Sequence, residues 1–179
     1  MSLIEFTRDT LEDYRTRLYR ALDGLTDDEL NWRPNRESNS IAFIMWHTTR
    51  VEDRWFQVFA QGKPDVWSRD VWHDKLGLRE DERGFGYGVD ELAAFPKLAG
   101  DDLRGCFEAV RAETAAYLDS LDESDLDIAP GRSPFGAPGS SNRFAEFTIR
   151  RMFRQVIGEL MQHLGHMAFL RGLQRGLDG

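Results

Sequence analysis

Apolar side chains recur at intervals of three and four residues in four long stretches of the chain, a spacing that places them on one face of a helix. A helix with one apolar face must bury that face against another element. The sequence shows neither strand pairs nor internal repeats, so we predict an all-α four-helix bundle. The first predicted helix begins at Ile4; its apolar stripe extends to Leu25, and Gly24 is the stop signal. The second runs from a cap at Ser38 or Ser40 to residues 62–64. The third runs from Asp101 to Leu121, and the fourth from near Phe144 to Arg171 or beyond.

The crossover between the second and third helices is long for a compact domain. It spans residues 65–96 and contains Trp67, Trp72 and the glycine-rich run 84–88. The run lacks the preceding strand and the following Lys-Ser/Thr that a phosphate-binding loop requires. Because long connections often have a function, we expect this crossover to cover a pocket. A second loop, residues 122–142, is rich in Gly, Pro, Ser and Asp.

Composition restricts the class of protein. The chain of 179 residues can bury one sizeable core, so we expect a single domain over residues 1–179. It has no apolar run of membrane-spanning length, and its N-terminus lacks the order of a signal peptide, which predicts a cytoplasmic protein with no membrane partner. A net charge of −8 argues against direct nucleic-acid binding. The lone Cys106 excludes an intrachain disulfide, and its position on an apolar helix face favours a packing role.

The run from Gln155 to His166 carries the chemistry of the C-terminal helix. Glu159 and His163 are four residues apart and therefore lie one above the other on a helix. His166 lies only about 20° from Glu159 in projection. A carboxylate and an imidazole with this spacing suit a divalent metal ion, although an ordinary polar pair in solvent has the same pattern.

A third candidate ligand, His47, lies on the flank of the apolar stripe of the second helix, where its side chain can point between helices. A hydrogen-bonded core histidine has the same signature, and ligand sites in bundles form from side chains on facing helices. We interpret the neighbouring Arg50, Glu52, Asp53 and Arg54 as the solvated face of that helix.

Two further residues have ordinary structural interpretations. His73 is predicted to lie on the surface or to pack against neighbours, with a catalytic role as the alternative. Trp32, in the first inter-helix turn, is predicted to be a core or lid aromatic, with a ligand-stacking role as the alternative.

These motifs together resemble the DinB-like superfamily of helical-bundle metalloproteins. That family carries a histidine in a Trp-His context on its second helix and a ligand pair four residues apart on its last helix. The pair Glu159 and His163, where many members have two histidines, resembles the branch that contains the N-terminal domain of mycothiol-dependent maleylpyruvate isomerases. The other segments that carry the resemblance are residues 30–34, 67–88, 91–95 and 165–172.

The resemblance implies that His47, Glu159 and His163 bind a divalent metal, with water in a fourth position. Zinc is the first expectation, and nickel, iron or manganese suit the same donors. Three protein ligands and one open position are typical of catalytic zinc. Three roles remain open for His166: it could replace Glu159 as a ligand, orient a ligand, or bind substrate, and we favour orientation of a ligand or simple packing.

Three functions are compatible with this reading. The first is an S-transferase or isomerase that joins a small thiol such as mycothiol or bacillithiol to an electrophilic substrate, with Trp67, Trp72 and the glycine-rich run as a roof and Arg50 or Arg54 as a holder of the thiol's carboxylate. The second is a metal-dependent hydrolase of small esters or amides. The third is a non-catalytic stress protein that binds a metal. Apolar flanks on such bundles often support homodimers, although the sequence locates no interface.

Overall fold

The computed structural model describes residues 1–135 and 142–176, which form helices and loops and contain no β-strand. This confirms the all-α prediction, and none of the helices in these ranges is long and apolar enough to cross a membrane. The elements in chain order are α1 (Leu3–Leu22), α2 (Asp27–Asn31), α3 (Ile41–Asp53) with a π-helical continuation (Arg54–Gln61), α4 (Val66–Arg69), α5 (Trp72–Lys75), α6 (Val89–Ala94), α7 (Gly100–Asp119), a 3₁₀ turn (Glu123–Asp127) and α8 (Ile149–Arg175).

Short polar side chains begin the first three helices. Ser2 and Thr26 cap α1 and α2, and each forms a capping box with the glutamate three residues later, Glu5 or Glu29. The later of the two candidate serines, Ser40, caps α3. These caps satisfy backbone N–H groups that the first turn of a helix leaves without partners.

The C-terminal helix begins later than predicted. Thr148 caps α8 by accepting the backbone N–H of Arg151, so the helix starts at Ile149 and the expected start near Phe144 was wrong. Residues 142–148, which precede it, are not helical, and Phe144 instead packs its ring against Trp55. Residues 136–141 of the predicted loop 122–142 lie outside the described ranges.

Helix α3 continues without a break into the π-helical segment, where the backbone hydrogen bonds reach one residue further than in an α-helix. Gly62 ends the segment in a left-handed conformation with φ of 66°, as predicted for residues 62–64. Trp55, Phe56 and Phe59 of this segment are buried. The extended second helix thus supplies a large aromatic part of the core.

The long helices form a bundle in which α1 and α8 run in one direction and α3 and α7 in the other. Helix α8 packs against both α1 and α3, and α7 packs against the other sides of both. The pairs that fix these directions are Arg8–Asp119 and Arg15–Glu108 between α1 and α7, Glu52–Arg111 and Phe56–Tyr117 between α3 and α7, His47–Glu159 and Phe56–Phe153 between α3 and α8, and Ala21–Arg171 between α1 and α8.

The prediction of a solvated face on α3 was wrong, because the crossover covers that face. Arg50 and Asp53 are 0% exposed. The Asp53 carboxylate accepts the backbone N–H groups of Val66 and Trp67, and Arg50 donates to both Asp53 and Asp65. These charges are buried but paired, which anchors the start of the crossover to α3.

Glu52 is also 0% exposed, on the side of α3 that faces α7. Its carboxylate accepts a hydrogen bond from Arg111, whose guanidinium also lies over the ring of Phe107. Sequence periodicity could not identify this pair, since a charged residue normally marks the solvent side of a helix. The buried carboxylate of Glu52 is stabilised because α7 packs on that side and places Arg111 opposite it.

Candidate metal centre

His47 projects from α3 toward α8, and its side chain is 12% exposed. Its Nδ1 atom lies 2.5 Å from the backbone carbonyl oxygen of Gly84, in the glycine-rich run of the crossover. A carbonyl oxygen can only accept, so Nδ1 must carry the hydrogen. The lone pair of a neutral His47 ring is then on Nε2, which points toward α8. This backbone contact is the usual way to orient a metal-binding histidine.

Glu159 and His163 meet His47 from α8. The Nε2 atoms of His47 and His163 each lie 3.3 Å from Oε1 of Glu159, and the two imidazole rings are 4.7 Å apart and nearly perpendicular. One ligand atom from each residue lies within 4.8 Å of the other two. The structure therefore brings the three predicted residues together.

This arrangement fits a divalent cation. Donor atoms of a tetrahedral zinc site are about 3.3 Å apart, given ligand bonds of about 2.0–2.1 Å. The two 3.3 Å separations in this group equal that value, and they are long for N–H···O hydrogen bonds. Because His47 uses its ring hydrogen on Gly84, its Nε2 lone pair faces a carboxylate oxygen. Two acceptors can face each other stably only if a proton or a metal ion lies between them.

The carboxyl group of Glu159 has a lowered pKa. When a proton rather than a metal ion lies between these atoms, hydrogen bonding from His163 and from His47 lowers the pKa of the Glu159 carboxyl well below its usual range, and partial burial opposes this only in part. The carboxyl group is therefore ionised near neutral pH. An ionised carboxylate is the form that binds a metal.

His166 lies outside this group of three. It is exposed, and its Nδ1 atom is 3.4 Å from Nδ1 of His163, on the side of the His163 ring that faces away from Glu159. Spacing by three residues on α8 places it beside His163 and further from α3. This position beside His163 is compatible with the orienting role, one of the three considered for His166.

A cavity of 520 Å³ opens beside the group, with His47 and Glu159 in its wall. Aromatic side chains form most of the remaining wall, and one of them, Phe85, belongs to the glycine-rich run. The crossover therefore does border a pocket, as predicted. The other residues that line it are Val51, Trp55, Phe135, Arg143, Phe144, Phe147, Arg151 and Gln155. A larger cavity of 690 Å³ lies between α1 and α8, and none of the three candidate ligands lines it.

Several predicted site residues have other roles. Trp67 does not roof the cavity: it is 0% exposed and donates its indole N–H to the carbonyl of Glu80. Trp72 packs against Gly105 of α7. The guanidinium of Arg50 is held by Asp53 and Asp65, which excludes it as a holder of the thiol's carboxylate.

The remaining candidates also have structural contacts. Arg54 donates to the carbonyl of Pro134 and approaches Asp65. His73 pairs with Asp74, while Cys106 is 2% exposed and burial raises the pKa of its thiol to about 12. The burial of Cys106 agrees with the packing role predicted for it, and the pair with Asp74 agrees with a structural role for His73. Trp32 is 38% exposed, so it is not a core residue.

Sequence reasoning missed the arginine and glutamine side chains of the cavity. Arg151 and Gln155 precede Glu159 by eight and four residues, which places all three on one face of α8. That spacing was visible in the sequence. Arg143 lies in the segment before α8, and no local pattern links it to the site.

Two imidazoles and a carboxylate that converge between facing helices define the class of protein: an all-α bundle with a candidate metal centre. The sequence model of the DinB superfamily matches residues 10–167, and the chain belongs to this superfamily. A crystal structure described as a conserved protein from Enterococcus faecalis resembles the chain with a TM-score of 0.80 and 22% identity over 97% of each chain, a likeness that shows the fold. No curated protein matches the sequence.

Proposed function

We propose that the chain is a metal-dependent S-transferase or isomerase of the cytoplasm that adds a small thiol, of the mycothiol or bacillithiol type, to an electrophilic small molecule. His47, Glu159 and His163 are the proposed metal ligands. When bound, a divalent metal such as zinc supplies a Lewis acid that favours the deprotonated form of a thiol near neutral pH. The observation that carries this proposal is the convergence of three donor atoms, two of them from residues in the wall of a cavity large enough for a small molecule.

The chain's own residues orient the reactants. The Gly84 carbonyl and His166 fix the two imidazole rings, so that each presents Nε2 to the same point. The aromatic wall of the cavity excludes water from the electrophile. The sulfur of the thiol forms a bond to an electrophilic carbon. In a substitution, the halide or other leaving group departs with its electron pair and the thiol proton passes to solvent.

The composition of the cavity favours thiol transfer over hydrolysis. A hydrolase needs a general base to activate water, and Glu159 is the one carboxylate among the described residues that line this cavity. If Glu159 binds the metal, it cannot also serve as that base. His47, the one histidine in this wall, is occupied in the same way. An added thiol needs no such base, because its deprotonated form is already a strong nucleophile near neutral pH when the thiol pKa is lowered.

A conjugation assay tests the proposal. Metal-loaded protein is incubated with mycothiol or bacillithiol and 1-chloro-2,4-dinitrobenzene, and formation of the thioether is followed by absorbance. We expect turnover that is lost on chelation and in His47→Ala, but retained in the control His73→Ala. Absence of turnover with the metal confirmed present would contradict the proposal. Cleavage of a small ester without any thiol would instead identify a hydrolase, and no response in either assay would identify a non-catalytic metal-binding protein.

A further inference from the structure

Two exposed arginines, Arg151 and Arg143, lie in the wall of the cavity that His47 and Glu159 also line. The guanidinium of Arg151 lies 3.9 Å from the ring centre of Phe147, and that of Arg143 lies 4.7 Å from the ring centre of Phe144. Stacking on a ring fixes the plane of a guanidinium and leaves its N–H edge free for a carboxylate. Among residues 1–135 and 142–176, neither arginine has a carboxylate partner, although the chain carries a net charge of −8.

The distance between the two ends limits the ligand. Arg151, Gln155 and Glu159 follow each other at steps of four along α8, so they line one continuous track on the helix surface. Eight residues of helix rise about 12 Å, which separates the arginine end from the candidate ligands. Gln155 lies halfway along this track and has no hydrogen-bond partner among the described residues. The opposite wall is aromatic.

We propose that this cavity binds an elongated small molecule with an apolar or aromatic body, whose carboxylate pairs with Arg151 and Arg143 while its other end reaches the metal centre. The inference rests on the function proposed above, since it names the class of ligand for the same site. The carboxylate belongs either to the electrophile or to the thiol. Both sources present the same chemistry to the arginines, and the experiment separates them.

Equilibrium binding tests the arginine end without any need for turnover. Calorimetry compares 4-phenylbutanoate with its uncharged amide, on protein made metal-free with a chelator and on the same protein after metal loading. We expect the acid to bind more tightly than the amide, and Arg151→Gln to weaken binding of the acid about tenfold while leaving the amide within about twofold. The matched control is Arg154→Gln, one turn away on α8: its side chain lies outside this cavity and lines a second one beside Leu3 and Phe6, which Arg151 borders as well.

Equal affinities for the acid and the amide would overturn the proposal, as would an Arg154→Gln variant that loses as much affinity for the acid as Arg151→Gln. Binding to metal-free protein tests the arginine end alone, so failure of the metal or thiol chemistry would be seen separately.

For the source of the carboxylate, KM values are compared at saturating co-substrate. A KM of Arg151→Gln raised for 4-chloro-3-nitrobenzoate but not for its amide assigns the carboxylate to the electrophile. A KM raised for bacillithiol but not for mycothiol assigns it to the thiol.

Discussion

The Nδ1 atom of His47 lies 2.5 Å from the carbonyl oxygen of Gly84, and this contact joins the glycine-rich run of the crossover directly to the candidate metal centre. It requires Gly84 to adopt a left-handed conformation, with φ of 82°. A side chain at this position would also meet Cβ of Arg50 at 3.3 Å. The backbone of one segment thus fixes the tautomer of a proposed ligand in another.

Replacement of Gly84 by alanine is predicted to weaken metal binding. The new methyl group must displace either Arg50 or the chain around residue 84, and this moves the carbonyl that orients His47. We expect a loss of about 1–2 kcal/mol in the free energy of unfolding and a 10- to 100-fold weaker zinc affinity, the usual effect of disturbing a residue that orients a ligand. Denaturant unfolding and competition titration with a zinc chelator measure the two effects.

Gly86→Ala is the matched control, because Gly86 has nearly the same conformation, with φ of 83°, and a side chain there would meet nothing within 4 Å. This variant should lose stability through the same backbone strain but keep its affinity for zinc. If the two variants bind zinc equally well, the Gly84 carbonyl does not orient the ligand.

The buried pair Glu52–Arg111 is predicted to stabilise the packing of α3 on α7 only while both partners are present. Arg111→Met leaves a carboxylate that is 0% exposed without its cation, and we expect a loss of about 3–5 kcal/mol. The double variant Glu52→Leu, Arg111→Met removes both charges and should recover most of that loss. Thermal unfolding of the two variants measures this. A double variant no more stable than Arg111→Met would show that the cost comes from shape rather than from charge.

Asp53 is predicted to make stability depend on pH. Burial raises the pKa of its carboxyl to about 6 from the usual 3.8, although Arg50 and two backbone N–H groups favour the ionised form. The folded state therefore holds this proton more tightly than the unfolded state, and the contribution of Asp53 to the free energy of unfolding falls as pH rises from about 4 through about 6.

Between pH 4.5 and pH 7 this fall is expected to be roughly 2 kcal/mol. Asp53→Asn cannot titrate, so the stability of the wild type relative to this variant should be lower at pH 7 than at pH 4.5 by that amount. Urea unfolding of both proteins at the two pH values gives the comparison. A relative stability that instead rises with pH would show that the hydrogen bonds to the ionised carboxylate outweigh its burial.

Local spacing predicted the parts of the fold and site that depend on a single helix. The four apolar stripes identified α1, α3, α7 and α8, and the four-residue interval paired Glu159 with His163. His47 could be placed beside them because ligands in bundles come from facing helices.

The features that sequence reasoning missed all depend on contacts between distant segments. The charged residues of α3 predict a solvent-exposed side of the helix. In the structure the crossover and α7 cover that side and bury these residues. Arg143 reaches the cavity through the path of a loop that has no periodicity. Trp67, expected at a roof, is instead covered by the crossover's own residues, such as Glu80.

Metal analysis of protein purified without a metal-affinity column tests the central claim most directly. Elemental analysis should find about one divalent metal ion per chain in the wild type and in His73→Ala, and strongly reduced occupancy in His47→Ala and His163→Ala. The first two proteins share the fold and differ only at a histidine that pairs with Asp74. Equal metal content in all four proteins would contradict the assignment of His47 and His163 as ligands.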